Sequence, residues 1–147
     1  MNITEIMNDK MIKLQLESKD KVSVIRELAE LLYENDKLYD KEKYIEAVLK
    51  REEEFSTGVG MGIAIPHGKS SAVKEPALAF GRSLEGIDYG AMDGKPSNFF
   101  FIIAVPENSN DEHLRLLSQI SRKLMHNEVR EKLLKANTPS EVIDALK

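Results

Sequence analysis

Apolar and polar residues alternate over Met11-Ile12-Lys13-Leu14-Gln15-Leu16, the two-residue period of a half-buried strand. The period then changes. Val22, Ile25, Leu28, Ala29 and Leu32 recur at helical spacing behind Ser18 or Asp20, either of which can cap a helix, and Asn35-Asp36 ends it. Asp40 caps a second predicted helix, with Tyr44, Ala47, Val48 and Arg51 on one stripe. That spacing turns Arg51 onto the apolar face of the last turn, beside the acidic run Glu52-Glu53-Glu54, which reads as a solvated helix end. Residues 56–62 are too glycine-rich for a regular element. Ile63-Ala64-Ile65 is a short apolar segment that Pro66 stops.

Further along, residues 77–81 read as a strand, 86–96 as turns, and 98–105 as a nearly continuous apolar run. Such a run belongs to a strand covered on both faces. Ser109 or Asn110 can cap a helix carrying Leu114, Leu117, Ile120, Leu124 and Met125. Two short helices follow, one over 128–134 and one after the start signal Thr138-Pro139-Ser140-Glu141. Strands interleaved with helices predict a sheet with helices packed over it.

Composition narrows the chemistry. The chain has 147 residues, which suits one domain over 1–147. It has no cysteine, so thiol nucleophiles, disulfides, thiolate metal sites and iron–sulfur clusters are out. Three histidines are too few for most metal clusters, and no metal or cofactor is expected. A net charge of -4 leaves no basic footprint for nucleic acid. The N-terminus lacks the basic and apolar regions of a signal peptide, and no run is long enough to span a membrane, so a cytoplasmic location is expected.

Four side chains then form a set. His67 lies between Pro66 and Gly68, a rigid entry and a permissive exit that would hold an imidazole at a strand end. The alternative is a surface turn histidine without a role. His113 falls in the first turn of its helix, at i−4 from Leu117 and i−7 from Ile120, and so faces inward. The alternative there is a satisfied core histidine. The helix dipole favours its neutral form. His126, near a helix end, reads as structural or solvated. The glycine loop does not match a dinucleotide or Walker pattern. Its backbone amides, Gly58 among them, and the Thr57 hydroxyl can still bind a small anion. A histidine nucleophile, a forked cation at Arg51 and these hydrogen-bond donors suit phosphoryl transfer.

The segment Arg51-Glu52-Glu53-Glu54-Phe55-Ser56-Thr57-Gly58-Val59-Gly60-Met61-Gly62-Ile63-Ala64-Ile65-Pro66-His67-Gly68-Lys69 resembles the active-site segment of enzyme IIA domains of the bacterial phosphoenolpyruvate:sugar phosphotransferase system, fructose/mannitol type. Residues 86–96 and the blocks 101–106 and 110–114 are also similar to that family, and the resemblance covers essentially the whole chain. It implies an α/β fold, a mixed β-sheet flanked by helices on both faces. It implies a phosphocarrier that accepts a phosphoryl group from phospho-HPr on Nε2 of His67. The group then passes to a cysteine of enzyme IIB, which serves the membrane component IIC in sugar uptake. His113 would be the second active-site histidine and Arg51 the arginine beside the phosphate, with Thr57 in the matching loop. With no cysteine in this chain, the acceptor thiol must lie elsewhere. The wording of the loop and of 86–96 is more fructose-like than mannitol-like. A nitrogen-type paralogue, which signals through phosphorylation-dependent binding, is the main alternative; a plain binding module and a two-histidine metallohydrolase are the others. An apolar rim of Phe55, Val59 and Met61 is expected to meet the partner proteins.

Overall fold

Residues 2–147 are described by a computed structural model of the chain. Two short 3-10 turns, Ile3–Ile6 and Asp9–Met11, lead into β1 (Ile12–Lys13), α1 (Lys21–Glu34) and α2 (Lys41–Glu54). Next come β2 (Gly58–Gly60), β3 (Ile63–Ala64), β4 (His67–Ser70), β5 (Ala77–Ile87) and β6 (Ser97–Pro106). The chain closes with α3 (Glu112–Leu124), α4 (Asn127–Lys135) and α5 (Pro139–Ala145). Asp20, Asp40 and Thr138 cap α1, α2 and α5 by accepting the backbone N–H three residues on.

Among the described residues the strands form one mixed sheet of six in the order β1-β5-β6-β3-β2, with β4 also beside β6. The long antiparallel pair β5·β6 is its centre. The two-residue period of β6 sorts the core. Phe100, Ile102 and Ala104 face α1 and α2, which contribute Val24, Ile25, Leu28, Leu32, Tyr44 and Val48. Phe99, Phe101, Ile103 and Val105 face α3, α4 and α5, with Leu116, Ile120, Leu133 and Val142. Helices therefore cover both faces, as the resemblance implied. Buried Arg82 ties the second layer to the sheet: its guanidinium donates to the carbonyls of Leu14, Leu133, Leu134 and Ala136.

β3 and β4 are one strand interrupted at Ile65-Pro66. Both run parallel to β6 in the same register, Ala64 opposite Phe100 and His67 opposite Ile103. β4 itself went unforeseen, because four residues beginning with a histidine carry no strand period. The glycine-rich stretch is also more regular than expected. Met61 and Gly62 both take positive φ, 56° and 76°, giving the tight turn that lets β2 fold back on β3. Three further differences have local causes. The alternating segment 11–16 keeps only Ile12–Lys13 as strand, since Met11 closes a 3-10 turn and Leu16 is instead packed over Gly81. Helix α3 starts at Glu112 with Asp111 at its cap position and no side-chain cap, and the Ser109 N–H instead donates to the Pro106 carbonyl in the turn before it. Val22, Leu114 and Met125 are exposed rather than core.

Candidate active site

The site is built at the sheet edge, where the two helix layers meet. Helix α2 reaches β4 because Gly68 has no side chain: a Cβ there would come within 2.9 Å of Val48 Cγ2 and 3.2 Å of the Tyr44 ring. Tyr44, fully buried, donates its hydroxyl to the Ile103 carbonyl at 2.7 Å and pins α2 to β6. Arg51 lies one turn beyond Val48 and is thereby brought beside His67. From the other layer, α3 brings His113 to the same place. The two imidazoles are stacked, centroids 6.4 Å apart and planes 25° off parallel. A cleft of about 500 Å³ opens between them, lined by Arg51, His67, His113, Lys50, Lys69 and Glu54 with Ala47, Leu114 and Leu117.

Hydrogen bonding fixes the His67 ring. Its Nδ1 lies 2.9 Å from the Ile65 carbonyl oxygen, which can only accept, so Nδ1 carries the proton. Nε2 is left with a lone pair. Burial lowers the pKa of His67 below the usual histidine value, and the nearby charges of Arg51 and His113 act in the same direction. The bond to Ile65 and the charge of Glu52 oppose this without reversing it. His113 is lowered too, by burial and by the charge of Lys69, and its buried Nδ1 has no hydrogen-bond partner. Both rings are thus neutral near pH 7. Arg51 is held at the end of α2: Nη1 donates to the Phe55 carbonyl at 3.0 Å, and the guanidinium lies 4.5 Å from the centroid of the Phe55 ring.

Arg51, His67 and His113 are therefore brought together, whereas Thr57 and Gly58 do not line the cleft. The Thr57 hydroxyl donates to Glu52 and lies 3.2 Å from the Tyr89 hydroxyl, and the Gly58 N–H donates to Ser56 Oγ at 3.0 Å. Both are committed to internal bonds. Phe55, Val59 and Met61 are exposed, but the apolar lining comes from Ala47, Leu114 and Leu117. His126 is exposed at the start of α4, away from the cleft.

Glu52 is the residue that the sequence reading misplaced. It is buried, not solvated, and accepts from Thr57 N–H, Thr57 Oγ1, Tyr89 Oη (2.9 Å) and Lys21 Nζ (2.9 Å). Burial alone would raise its pKa; the hydrogen bonds from Thr57, Lys21 and Tyr89 outweigh it, and the carboxyl stays ionised. A signal was present. Glu52 follows Tyr44 and Val48 at steps of four and so shares their inward stripe. Among the described residues no cluster of His, Asp or Glu is arranged to hold a metal, and no helix is long and apolar enough to cross a membrane.

A profile of the family described as "Phosphoenolpyruvate-dependent sugar phosphotransferase system, EIIA 2" matches residues 5–147. The chain is 47% identical over 146 residues to the fructose-specific EIIABC component of Bacillus subtilis, covering 99% of this chain but 23% of that longer protein. It is 43% identical to the fructose-specific EIIA component of Haloferax volcanii, with 99% of this chain and 97% of that protein covered. Among solved structures, the nitrogen regulatory protein IIA-Ntr of Neisseria meningitidis matches with a TM-score of 0.87 at 35% identity, over 99% of both chains. The complex of enzyme IIA mannitol with phosphorylated enzyme IIB mannitol from Escherichia coli matches with a TM-score of 0.83 at 25% identity, over 95% of this chain and 96% of that one.

Proposed function

The chain belongs to the EIIA 2 family of the phosphoenolpyruvate-dependent sugar phosphotransferase system, and on that premise we propose that it is a phosphocarrier whose His67 accepts a phosphoryl group from phospho-HPr and passes it to a cysteine of an enzyme IIB. The observation that carries this reading is the His67 ring anchored through Nδ1–H, which leaves Nε2 as the nucleophile in a cleft lined by Arg51 and His113. Nε2 attacks phosphorus, the new N–P bond forms, and the N–P bond to the donor imidazole breaks. The proton stays on Nδ1, so the ring gains positive charge during attack, and the Ile65 carbonyl that already faces Nδ1–H stabilises it. Arg51 offers its fork to the phosphoryl oxygens. His113 lines the same cleft, and its ring can donate to one of them. The second step reverses the first, with the IIB thiolate as nucleophile and neutral His67 as leaving group.

Fructose-type uptake is the branch we assign, because both relatives above are fructose-specific components. The chain acts as one domain in the cytoplasm, where its donor is made, and meets the membrane component IIC only through IIB. The likeness to IIA-Ntr supports a second reading, a regulator that binds targets according to its phosphorylation state. Incubation with labelled phosphoenolpyruvate, enzyme I and HPr tests the proposal. One acid-labile, base-stable phosphate per chain is expected on His67; full labelling of His67→Ala would refute it. Onward transfer to a fructose-type IIB separates transport from regulation.

A further inference from the structure

Thr57 and Ile65 stand opposite each other in the β2·β3 hairpin, next to the paired residues Gly58 and Ala64. The Ile65 N–H donates to the Thr57 carbonyl at 3.0 Å. An antiparallel pair of this kind ordinarily exchanges both bonds, so the Thr57 N–H would return to the Ile65 carbonyl. Here it does not. The Thr57 N–H donates to both carboxylate oxygens of Glu52, at 3.2 and 3.3 Å, and the Ile65 carbonyl accepts the His67 Nδ1–H instead. One bond of the sheet has been exchanged for two bonds to side chains.

We propose that Glu52 is a positioning residue for His67: by taking the Thr57 N–H out of the ladder it frees the Ile65 carbonyl to hold the imidazole in its Nδ1–H tautomer. Two points support this. Glu52 is fixed in turn by Lys21, Tyr89 and the Thr57 hydroxyl, three donors that join the Thr57 N–H on a buried carboxylate. A charged acceptor outcompetes a peptide carbonyl for one N–H, being the stronger hydrogen-bond partner. The neighbouring Arg51 and Glu52 thus serve one ring from two sides. Arg51 faces the cleft, and Glu52 acts from within through a strand.

This inference rests on the phosphocarrier reading for its consequence, but the tautomer belongs to the unphosphorylated protein and is measured on it. Long-range nitrogen–proton NMR spectra report which ring nitrogen of His67 bears the proton. In wild type the proton is expected on Nδ1. In Glu52→Ala the Thr57 N–H returns to Ile65, the ring populates both tautomers, and single-turnover transfer from phospho-HPr falls about fivefold or more, the factor for one ordinary hydrogen bond. Tyr89→Phe, which loosens the carboxylate without releasing the Thr57 N–H, keeps the wild-type tautomer. Where Glu52→Ala does not fold, the combined Glu52→Leu, Lys21→Met and Tyr89→Phe variant removes acceptor and donors together and takes the same measurement. A folded variant without the carboxylate that retains Nδ1–H overturns the proposal, as does an equal loss in Tyr89→Phe. A wild-type protein that never takes label ends the phosphocarrier reading and leaves the tautomer result standing.

Discussion

Replacing Gly68 by alanine tests whether the site depends on the close approach of α2 to β4. The added Cβ would lie 2.9 Å from Val48 Cγ2, 3.2 Å from Tyr44 Cε1 and 3.3 Å from the Val48 backbone nitrogen, where ordinary contact starts at 3.4 Å. The Val48 methyl must therefore retreat by about half an ångström. Neither neighbour yields easily. Val48 is β-branched and stiff at χ1 within a helix. Tyr44 is fully buried with its hydroxyl tied to Ile103. Overpacking of this size costs about 1–3 kcal/mol, and at roughly 2–4 °C per kcal/mol for a chain of this length the melting temperature should fall by about 2–12 °C. The catalytic consequence is larger than that of a remote core change, because the displaced helix carries Arg51. A shift of 1 Å in a reacting arrangement can cost about a hundredfold, so a shift of half that size predicts roughly a tenfold slower transfer to His67. Differential scanning calorimetry and single-turnover labelling measure the two effects. A Gly68→Ala protein with an unchanged melting temperature and an unchanged rate would refute the claim that this contact seats the arginine.

Four further outcomes follow from the structure. Arg51→Ala should slow both transfer steps by about 1–3 kcal/mol of lost charged hydrogen bonding, seen in rapid-quench labelling, with a melting temperature within a few degrees of wild type. The pKa values of His67 and His113 are lowered on folding, so near and below the usual histidine value the unfolded chain binds more protons than the folded one. Their contribution to stability is complete above that value and is lost as the pH falls through the folded values. Urea titrations across this range should show it, and His113→Asn should reduce the slope. By the same depression, transfer to His67 should hold its plateau rate below the ordinary histidine pKa; a rate that halves at the ordinary value would contradict a neutral, buried nucleophile. Arg82→Met strands the carbonyls of Leu133, Leu134 and Ala136 and should cost about 3 kcal/mol in chemical denaturation while leaving the His67 rate unchanged.

What the sequence determined by itself was whatever depends on neighbours along the chain. The apolar periods placed α1, α2 and the body of α3, a start signal placed α5, and the unbroken run at 98–105 announced a strand with both faces covered. The helical stripe turned Arg51 inward, and the Pro66-His67-Gly68 setting singled out the imidazole for which the nucleophile role is proposed. Those signals survive without tertiary information because caps, turns and amphipathic faces are local. The tertiary structure decided everything that depends on who stands opposite whom. Thr57 and Gly58, placed with the phosphate by their loop, turned out to be committed elsewhere. Glu52, read as solvated from its run of like charges, is buried because three partners far apart in sequence converge on it: Lys21 from α1, Thr57 from the turn after α2 and Tyr89 from the loop after β5. The helical period can turn Glu52 inward with Tyr44 and Val48, but no period along the chain encodes the meeting of its donors. The free energy of a buried carboxylate depends on its donors, and only the packing of helix against sheet brings those donors to it.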